Sequence, residues 1–461
     1  LLVLLCVLLG CDDDDRRRDA SAGDDAAIAD GGDGRRDDGG ADSDDRDAGR
    51  GNTSRDDGGD GPDEGRKRDA GDHGSGGHHG DNGADAGDAG MPDASHDAPA
   101  PFYARVISTG YAHACAITPE GALYCWGQNS FGQLGVDDTD ARNTPARVGH
   151  DSDWSAVSAG RYHTCAIRGG ALYCWGANGF AQLAIADAEI GEQHAPALIA
   201  EPERTWAAVS AGDWHTCALD EEGALYCWGY DLLGRLGIGK GLGTTADPGE
   251  AIATPTPVDE AHRYTAIDAG ASHTCGVRDD GGLWCWGLAD RGQLGAEAPD
   301  TCELNAVPTP CSVSPLHVDA DDAWSEVAVG GAHTCALSGG GALFCFGDNQ
   351  FGQLGIGDAA MTATPTEVAG DYVGASASAV HTCALRDDDR LACFGSNEAH
   401  QLGLAGDGAV NTPERVARDV AFDDVSASAL CTCAVATDGA AFCWGTCAYA
   451  PDSTPSHVVA I

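Results

Sequence analysis

One stretch of this chain, His163-Thr164-Cys165-Ala166-Ile167-Arg168-Gly169-Gly170-Ala171-Leu172-Tyr173-Cys174-Trp175-Gly176, returns with small changes seven times between residues 113 and 445. The first cysteines of the copies are Cys115, Cys165, Cys217, Cys275, Cys335, Cys383 and Cys433, at steps of 48 to 60 residues. Its apolar runs are four or five residues long and are separated by Gly or Asp, which reads as strand, tight turn, strand. A repeat of that length built from strands points to the blades of a β-propeller, in which each sheet buries its faces only by stacking on its neighbours.

Turn length fixes how the two cysteines of a copy face each other. In the second copy the loop is Gly169-Gly170, so Arg168 faces Ala171, Ile167 faces Leu172, Ala166 faces Tyr173 and Cys165 faces Cys174. Counting outward from the turn, the cysteines fall on a non-hydrogen-bonded pair, with Cα atoms roughly 4.5 Å apart and within reach of a disulfide. The other copies have one more residue between their cysteines. Five of them put Gly third in the loop (Gly121, Gly223, Gly281, Gly341 and Gly439), where a three-residue hairpin needs a left-handed residue. The sixth copy carries Asp387-Asp388-Asp389, so Asp389 is expected to be left-handed.

Around each cysteine hairpin lie three further pieces. A Pro-x-x-apolar segment comes first (Pro145 to Val148, Pro196 to Ile199, on to Pro455 to Val458), then a strand led by an aromatic residue such as Trp154, Trp206 or Tyr264. A Gly-Gln-Leu-Gly phrase (Gly132 to Gly135, Gly292 to Gly295, Gly352 to Gly355) follows the hairpin and turns the chain toward the next unit. Four strands per unit is what a blade requires. Residues 102–110 lack a Pro-x-x-apolar segment before them, and Thr454 to Ile461 is such a segment with nothing after it. The fold expected is therefore all-β, a seven-bladed β-propeller over residues 101–461, closed by the C-terminal strand clasping the first blade.

The phrase Cys-Trp-Gly-x-Asn-x-x-Gly-Gln-Leu-Gly at Cys125 to Gly135 resembles the repeat of the regulator of chromosome condensation family, which is a seven-bladed propeller. The resemblance covers residues 102–461, in a bacterial lipoprotein version. Several copies depart from it: Ala184 replaces the last Gly in the second, His400 precedes Gln401 in the sixth, Ser378 and Ser428 replace the Gly before the His, and the last copy lacks the phrase.

The chain has 20 cysteines. The hairpin pairing joins Cys115 to Cys125, Cys165 to Cys174, Cys217 to Cys227, Cys275 to Cys285, Cys335 to Cys345, Cys383 to Cys393 and Cys433 to Cys443. Cys302 and Cys311 are placed to staple a long insertion, and Cys431, which stands where other copies have His, is paired with Cys447. Such complete pairing belongs to an oxidising compartment. The rival is metal: His113, Cys115 and Cys125 lie near one another, His and the first Cys on one strand face. Seven equal sites would then be needed, and the seventh has lost its His. No metal or cofactor is expected. The recurring His is read as packed or hydrogen-bonded between blades, and Trp126, Trp175, Trp228, Trp286, Phe346, Phe394 and Trp444 as inter-blade packing.

Residues 1–10 form an apolar run that is too short to span a bilayer but suits a signal peptide, truncated because no Met or basic leader precedes Leu1. Leu8-Leu9-Gly10-Cys11 resembles a bacterial lipobox, which implies lipidation of Cys11. Residues 11–100 are mostly Asp, Gly, Arg and Ala. They carry too few large apolar side chains to offset the entropy of ordering, and read as a disordered acidic tether. Its histidines, His73, His78, His79 and His96, read as solvated spacer. Residues 1–100 hold 27 acidic and 11 basic side chains, so −16 of the net −47 lies there and −31 on the remainder. That charge disfavours nucleic acid as a partner. It reads as a well-solvated surface or as complementary to a cationic partner.

No Gly-x-Ser-x-Gly, His-Glu-x-x-His or phosphate-cradling loop occurs. The function expected is that of a non-catalytic, monomeric module anchored to the membrane by lipid at the cell envelope, periplasmic or surface-exposed, binding a protein or glycan. Its contact surface is sought on the loops that break the pattern, residues 239–254 and 296–314. The resemblance implies two further possibilities: a guanine-nucleotide exchange-type regulator, and an inhibitor or adhesin like the secreted bacterial propellers that bind β-lactamase. An envelope hydrolase with a site in the central channel is the remaining reading.

Overall fold

The computed structural model describes residues 101–461 except 186–189, 200–202, 243–249, 320–322, 418, 448–449 and 458–461. The expected signal peptide, the expected lipidation site Cys11 and the expected tether of residues 11–100 lie outside the described residues.

The described chain folds into seven antiparallel sheets, six of four strands and one of five, arranged as the blades of a propeller. The first strand of each blade, led by an aromatic residue in all but the first blade, is innermost, and these strands pack on one another around the axis. The register within each hairpin follows from the turn. Cys165 pairs with Cys174 and Arg168 with Ala171. Gly169 and Gly170 have φ of 56° and 79°, which a two-residue hairpin turn of this hand demands. Gly121, Gly223, Gly281, Gly341 and Gly439 all have positive φ, and Asp389 takes φ 59° in their place.

Two expectations about chain order change. The Pro-containing strand belongs to the unit before it. Arg142–Arg147 pairs with Leu123–Gly127, and every blade runs from its inner strand outward to a Pro-containing fourth strand, beyond which the fourth blade adds Asp300–Leu304. The Gly-Gln-Leu-Gly phrase leans on the next blade, and the chain then returns to finish its own sheet. Consequently the C-terminal strand Ala450–His457 does not clasp the first blade. It pairs with Ala441–Cys447 of the last blade, and the first blade is complete from Val106 to Arg147. The ring closes instead through contact of whole blades and through the segment before the first strand. There Tyr103 bridges Ala440, the Ala104 amide donates to the Gly439 carbonyl, and Ala441 donates to Phe102.

A core sits in each cleft between blades rather than at one centre. Around Trp175, for example, lie Cys115, Ile117, Leu123, Cys125 and Leu134 of the first blade with Trp154 and Ala166 of the second. Burying one such aliphatic side chain contributes about 1.5–3 kcal/mol. The long insertion after the fourth blade's hairpin forms an extra hairpin, Asp300–Leu304 against Val307–His317, on the outer edge of that blade.

Candidate functional site

The repeated side chains are tied up between blades. His163 Nε2 lies 2.9 Å from Thr216 Oγ1 of the next blade, and that hydroxyl donates to the Gln182 carbonyl at 2.9 Å. Because the threonine's one hydrogen goes to the carbonyl, its oxygen accepts from the histidine, which fixes the Nε2–H tautomer. The same relay runs from His113, His215, His273, His333 and His381 to Thr164, Thr274, Thr334, Thr382 and Thr432, at 2.8 Å each. Burial lowers the pKa of His113 and His333 to about 4 and of His163, His273 and His381 to about 3, so all are neutral at ordinary pH. The loop carbonyl is also capped by the indole N–H of Trp175, Trp228, Trp286 or Trp444 at 2.9–3.0 Å. The histidines and tryptophans are thus fastenings between blades. A β-carbon on Gly110 would come within 2.5 Å of His113 Cε1, which is why Gly precedes the His. Where Ser378 replaces it, the hydroxyl lies 2.7 Å from His381 Nδ1.

The cysteines of every hairpin face each other in register and are disulfide-bonded, with Cα atoms 4.0 or 4.1 Å apart. Cys302–Cys311 staples the inserted hairpin. Cys431 is also disulfide-bonded, while the side chain of Cys447 lies outside the described residues. The described residues contain no cluster of three or more His, Cys, Asp or Glu suited to a metal ion.

Inner strands are linked by a second set of bonds. Ser108, Ser158, Ser210, Ser376 and Ser426 each accept a backbone N–H from the next inner strand at 2.9–3.0 Å. At the two remaining junctions Asp268 accepts from the Val329 amide at 2.6 Å, and Glu326 from Ala375 at 3.4 Å. Asp424 adds a bond from Ile107 at the closing junction. Burial raises the pKa of all three carboxyls. They are perturbed, but their oxygens serve the ring: each holds a backbone amide of a neighbouring blade.

What remains available is an aromatic patch that the loop reading missed. It forms where the inner strand of each blade turns into the second strand. Tyr162 touches Tyr111, Phe131 and Trp214 at centroid distances of 6.1, 5.0 and 5.7 Å. Phe180 continues the patch to Trp214 at 5.2 Å and Tyr230 at 4.6 Å. All six rings are partly exposed. Within it the Arg161 guanidinium lies 4.4 Å over Tyr111 and is paired with Asp213 at 3.1 Å. The patch spans three blades. The two positions before the repeated His are Tyr111-Ala112, Arg161-Tyr162 and Asp213-Trp214 in the first three copies. In the other four they are Ala271-Ser272, Gly331-Ala332, Ala379-Val380 and Ala429-Leu430. That contrast is the signal a copy-by-copy comparison carries.

Of the two irregular loops, residues 243–249 are not described. The rest meets: Gly239 donates to Val313 and Glu303 to Leu242. Leu233, Leu288, Cys302 and Cys311 form a small core under this knob.

A disulfide-laced seven-bladed propeller with an aromatic surface patch is the class of protein that these features define. The chain belongs to the family of the RCC1-like domain, whose sequence pattern matches residues 168–450; the regulator of chromosome condensation repeat matches residues 120–167 and 105–133. Among curated relatives it is 32% identical over 275 residues to the mitochondrial RCC1 domain-containing protein RUG3 of Arabidopsis thaliana, covering 57% of this chain and 58% of that one. It is 29% identical over 259 residues to the ultraviolet-B receptor UVR8 of the same plant, covering 55% of each. The chain thus spans a little over half the length of these relatives. Among solved structures, human WBSCR16 superposes with a TM-score of 0.62 at 19% identity, covering 70% of this chain and 84% of that one, a likeness of fold alone.

Proposed function

We propose that this chain is a non-catalytic binding module, held at the cell envelope by lipid on Cys11, that engages a protein or glycan through the aromatic patch. The observation that carries this reading is the run of six partly exposed rings from Tyr111 to Tyr230 around the Arg161–Asp213 pair. Rigid aromatic area at low entropic cost is what recognition surfaces select. The interlocked His, Thr, Cys and inner carboxylates supply a stiff frame for such a surface. Membership of a family whose relatives include a named receptor supports a binding role.

The test is capture from envelope extracts by the wild-type chain and by Tyr162→Ala/Trp214→Ala, with intact-mass analysis reporting lipid on Cys11. Loss of capture in the variant, with an unchanged unfolding temperature, is expected. Turnover of a glycan or peptide without stable capture would overturn the binding reading.

A further inference from the structure

The opposite end of the blades carries a second repeated device. In four blades an arginine side chain lies against the aromatic residue that leads the inner strand, and in three of these, all but that of Arg386, it also lies against an aromatic residue of the third strand. Arg168 sits 5.2 Å from the Trp154 ring and 4.7 Å from Tyr173, and it is ion-paired with Asp151. Arg204 lies 4.1 Å over Tyr226 and 2.9 Å from Asp220. Arg278 is 3.4 Å over Trp284 and paired with Asp259, and Arg386 is 5.5 Å over Tyr372 with Asp388 at 3.6 Å. Arg168, Arg278 and Arg386 occupy one repeat position, the last residue of the second strand.

The first blade keeps the aromatic half of this device and lacks the cation. Phe102 stands in for the leading aromatic: it meets Tyr124 at 5.3 Å and 71° and Trp126 at 6.0 Å and 69°. Trp154 meets Tyr173 and Trp175 at 5.6 Å and 72°, and at 6.2 Å and 65°. The arginine position is Thr118. In place of a guanidinium there is a cleft of about 320 Å³ lined by Phe102, Tyr103, Thr118, Glu120 and Tyr124. Glu120 is exposed and makes no ion pair among the described residues. The fifth and seventh blades also lack the arginine, with Ser338 and Ala436 at the position. Gly340 leaves the fifth without a carboxylate where the first has Glu120, and Asp438 of the seventh accepts from the Ala440 amide. Cleft, ring pair and uncommitted carboxylate therefore coincide in the first blade.

We propose that this cleft is a slot for the guanidinium of an arginine side chain presented by a partner polypeptide. The guanidinium stacks on the Phe102–Tyr124 pair and is neutralised by Glu120, reproducing in trans what four blades do in cis. The charge of −31 on residues 101–461 draws such a cation toward the surface. The volume suits one side chain and is at the low end for a small-molecule site. This slot is independent of the aromatic patch, which lies at the other end of the second strand, so loss of one leaves the other intact.

Ligand-observed NMR on the full chain with acetyl-Gly-Arg-Gly-amide, and with the uncharged citrulline peptide of the same shape, tests the proposal. The arginine peptide is expected to bind and the citrulline peptide not. Glu120→Gln should weaken binding roughly tenfold. Thr118→Arg restores the repeat's own arginine and should abolish binding while leaving the unfolding temperature unchanged or higher. Equal binding of both peptides, silence of the wild type, or undiminished binding to both variants would overturn it. The two variants are read separately, so that a folding defect in one does not decide the matter.

Discussion

Replacing Thr216 by Val asks directly what one fastening between blades contributes. The methyl group fills the space of the hydroxyl, so the perturbation is chemical. Thr216 is fully buried, accepts from His163 Nε2–H at 2.9 Å and donates to the Gln182 carbonyl at 2.9 Å. In Thr216→Val the carbonyl keeps its bond from Trp228 Nε1 at 2.9 Å, whereas the His163 N–H is left without a partner in a fully buried position. An orphaned buried donor costs about 1–3 kcal/mol, so a loss of about 2 kcal/mol is expected. Urea unfolding without reductant measures it, from the shift in midpoint at constant slope. His163→Ala combined with Thr216→Val should cost less than the two alone by about 1–2 kcal/mol, because each single change removes the same bond. Ala114→Thr is the control. Position 114 is buried, and across its junction stands Cys431, with no histidine to donate. There the added hydroxyl should destabilise, by about 1 kcal/mol. A Thr216→Val loss below about 0.5 kcal/mol, or strict additivity in the double variant, would refute the relay.

The same histidines set a pH dependence. Unfolded, they take up protons near pH 6.5, whereas the folded forms resist down to about 4 or 3, so stability is full above pH 6.5 and lost as pH falls. The loss is on the order of 1 kcal/mol per histidine for each pH unit, and the raised carboxyls Asp268, Glu326 and Asp424 offset part of it near the bottom of the range. Unfolding midpoints flat between pH 8 and 5 would contradict the burial of neutral rings. Asp389→Gly should stabilise by about 0.5–1 kcal/mol, since φ 59° costs Gly nothing and the Asp389 carbonyl bond from Phe422 is kept; an unchanged or lower midpoint would count against the turn assignment.

The legible parts of the fold are those in which partners are close in sequence. Cys165 and Cys174 are brought opposite each other by a two-residue turn, so their register could be counted without any knowledge of the rest. The phase of the repeat could not. The outer strand at Arg142 begins 15 residues after Gly127, to which it pairs, and ends seven before Trp154, which leads the next blade. Nearness along the chain therefore favours the wrong neighbour, and the same logic points the C-terminal strand to the first blade, whereas it pairs within the last. Distance hides the aromatic patch too. Tyr111, Tyr162 and Trp214 are about 50 residues apart and meet only when three blades are set side by side.

The closing junction shows how far such partners are tied to one another. At six junctions a histidine of one blade finds a threonine of the next, and a loop carbonyl stands behind that threonine. At the seventh, all three parts differ at once: Cys431 is not His, Ala114 is not Thr, and the phrase that supplies the carbonyl is missing from the last copy. A lone His at 431 would bury a donor with nothing to accept it, and a lone Thr at 114 a hydroxyl with nothing to receive its hydrogen. Losing one part makes the others costly, so residues 317 apart in the chain depart from the pattern together. What takes their place is apolar and backbone-made. Phe102 packs edge-on against Trp126, the one residue of its repeat position whose blade has no such loop carbonyl before it, and the Ala104 and Ala441 amides complete the seam.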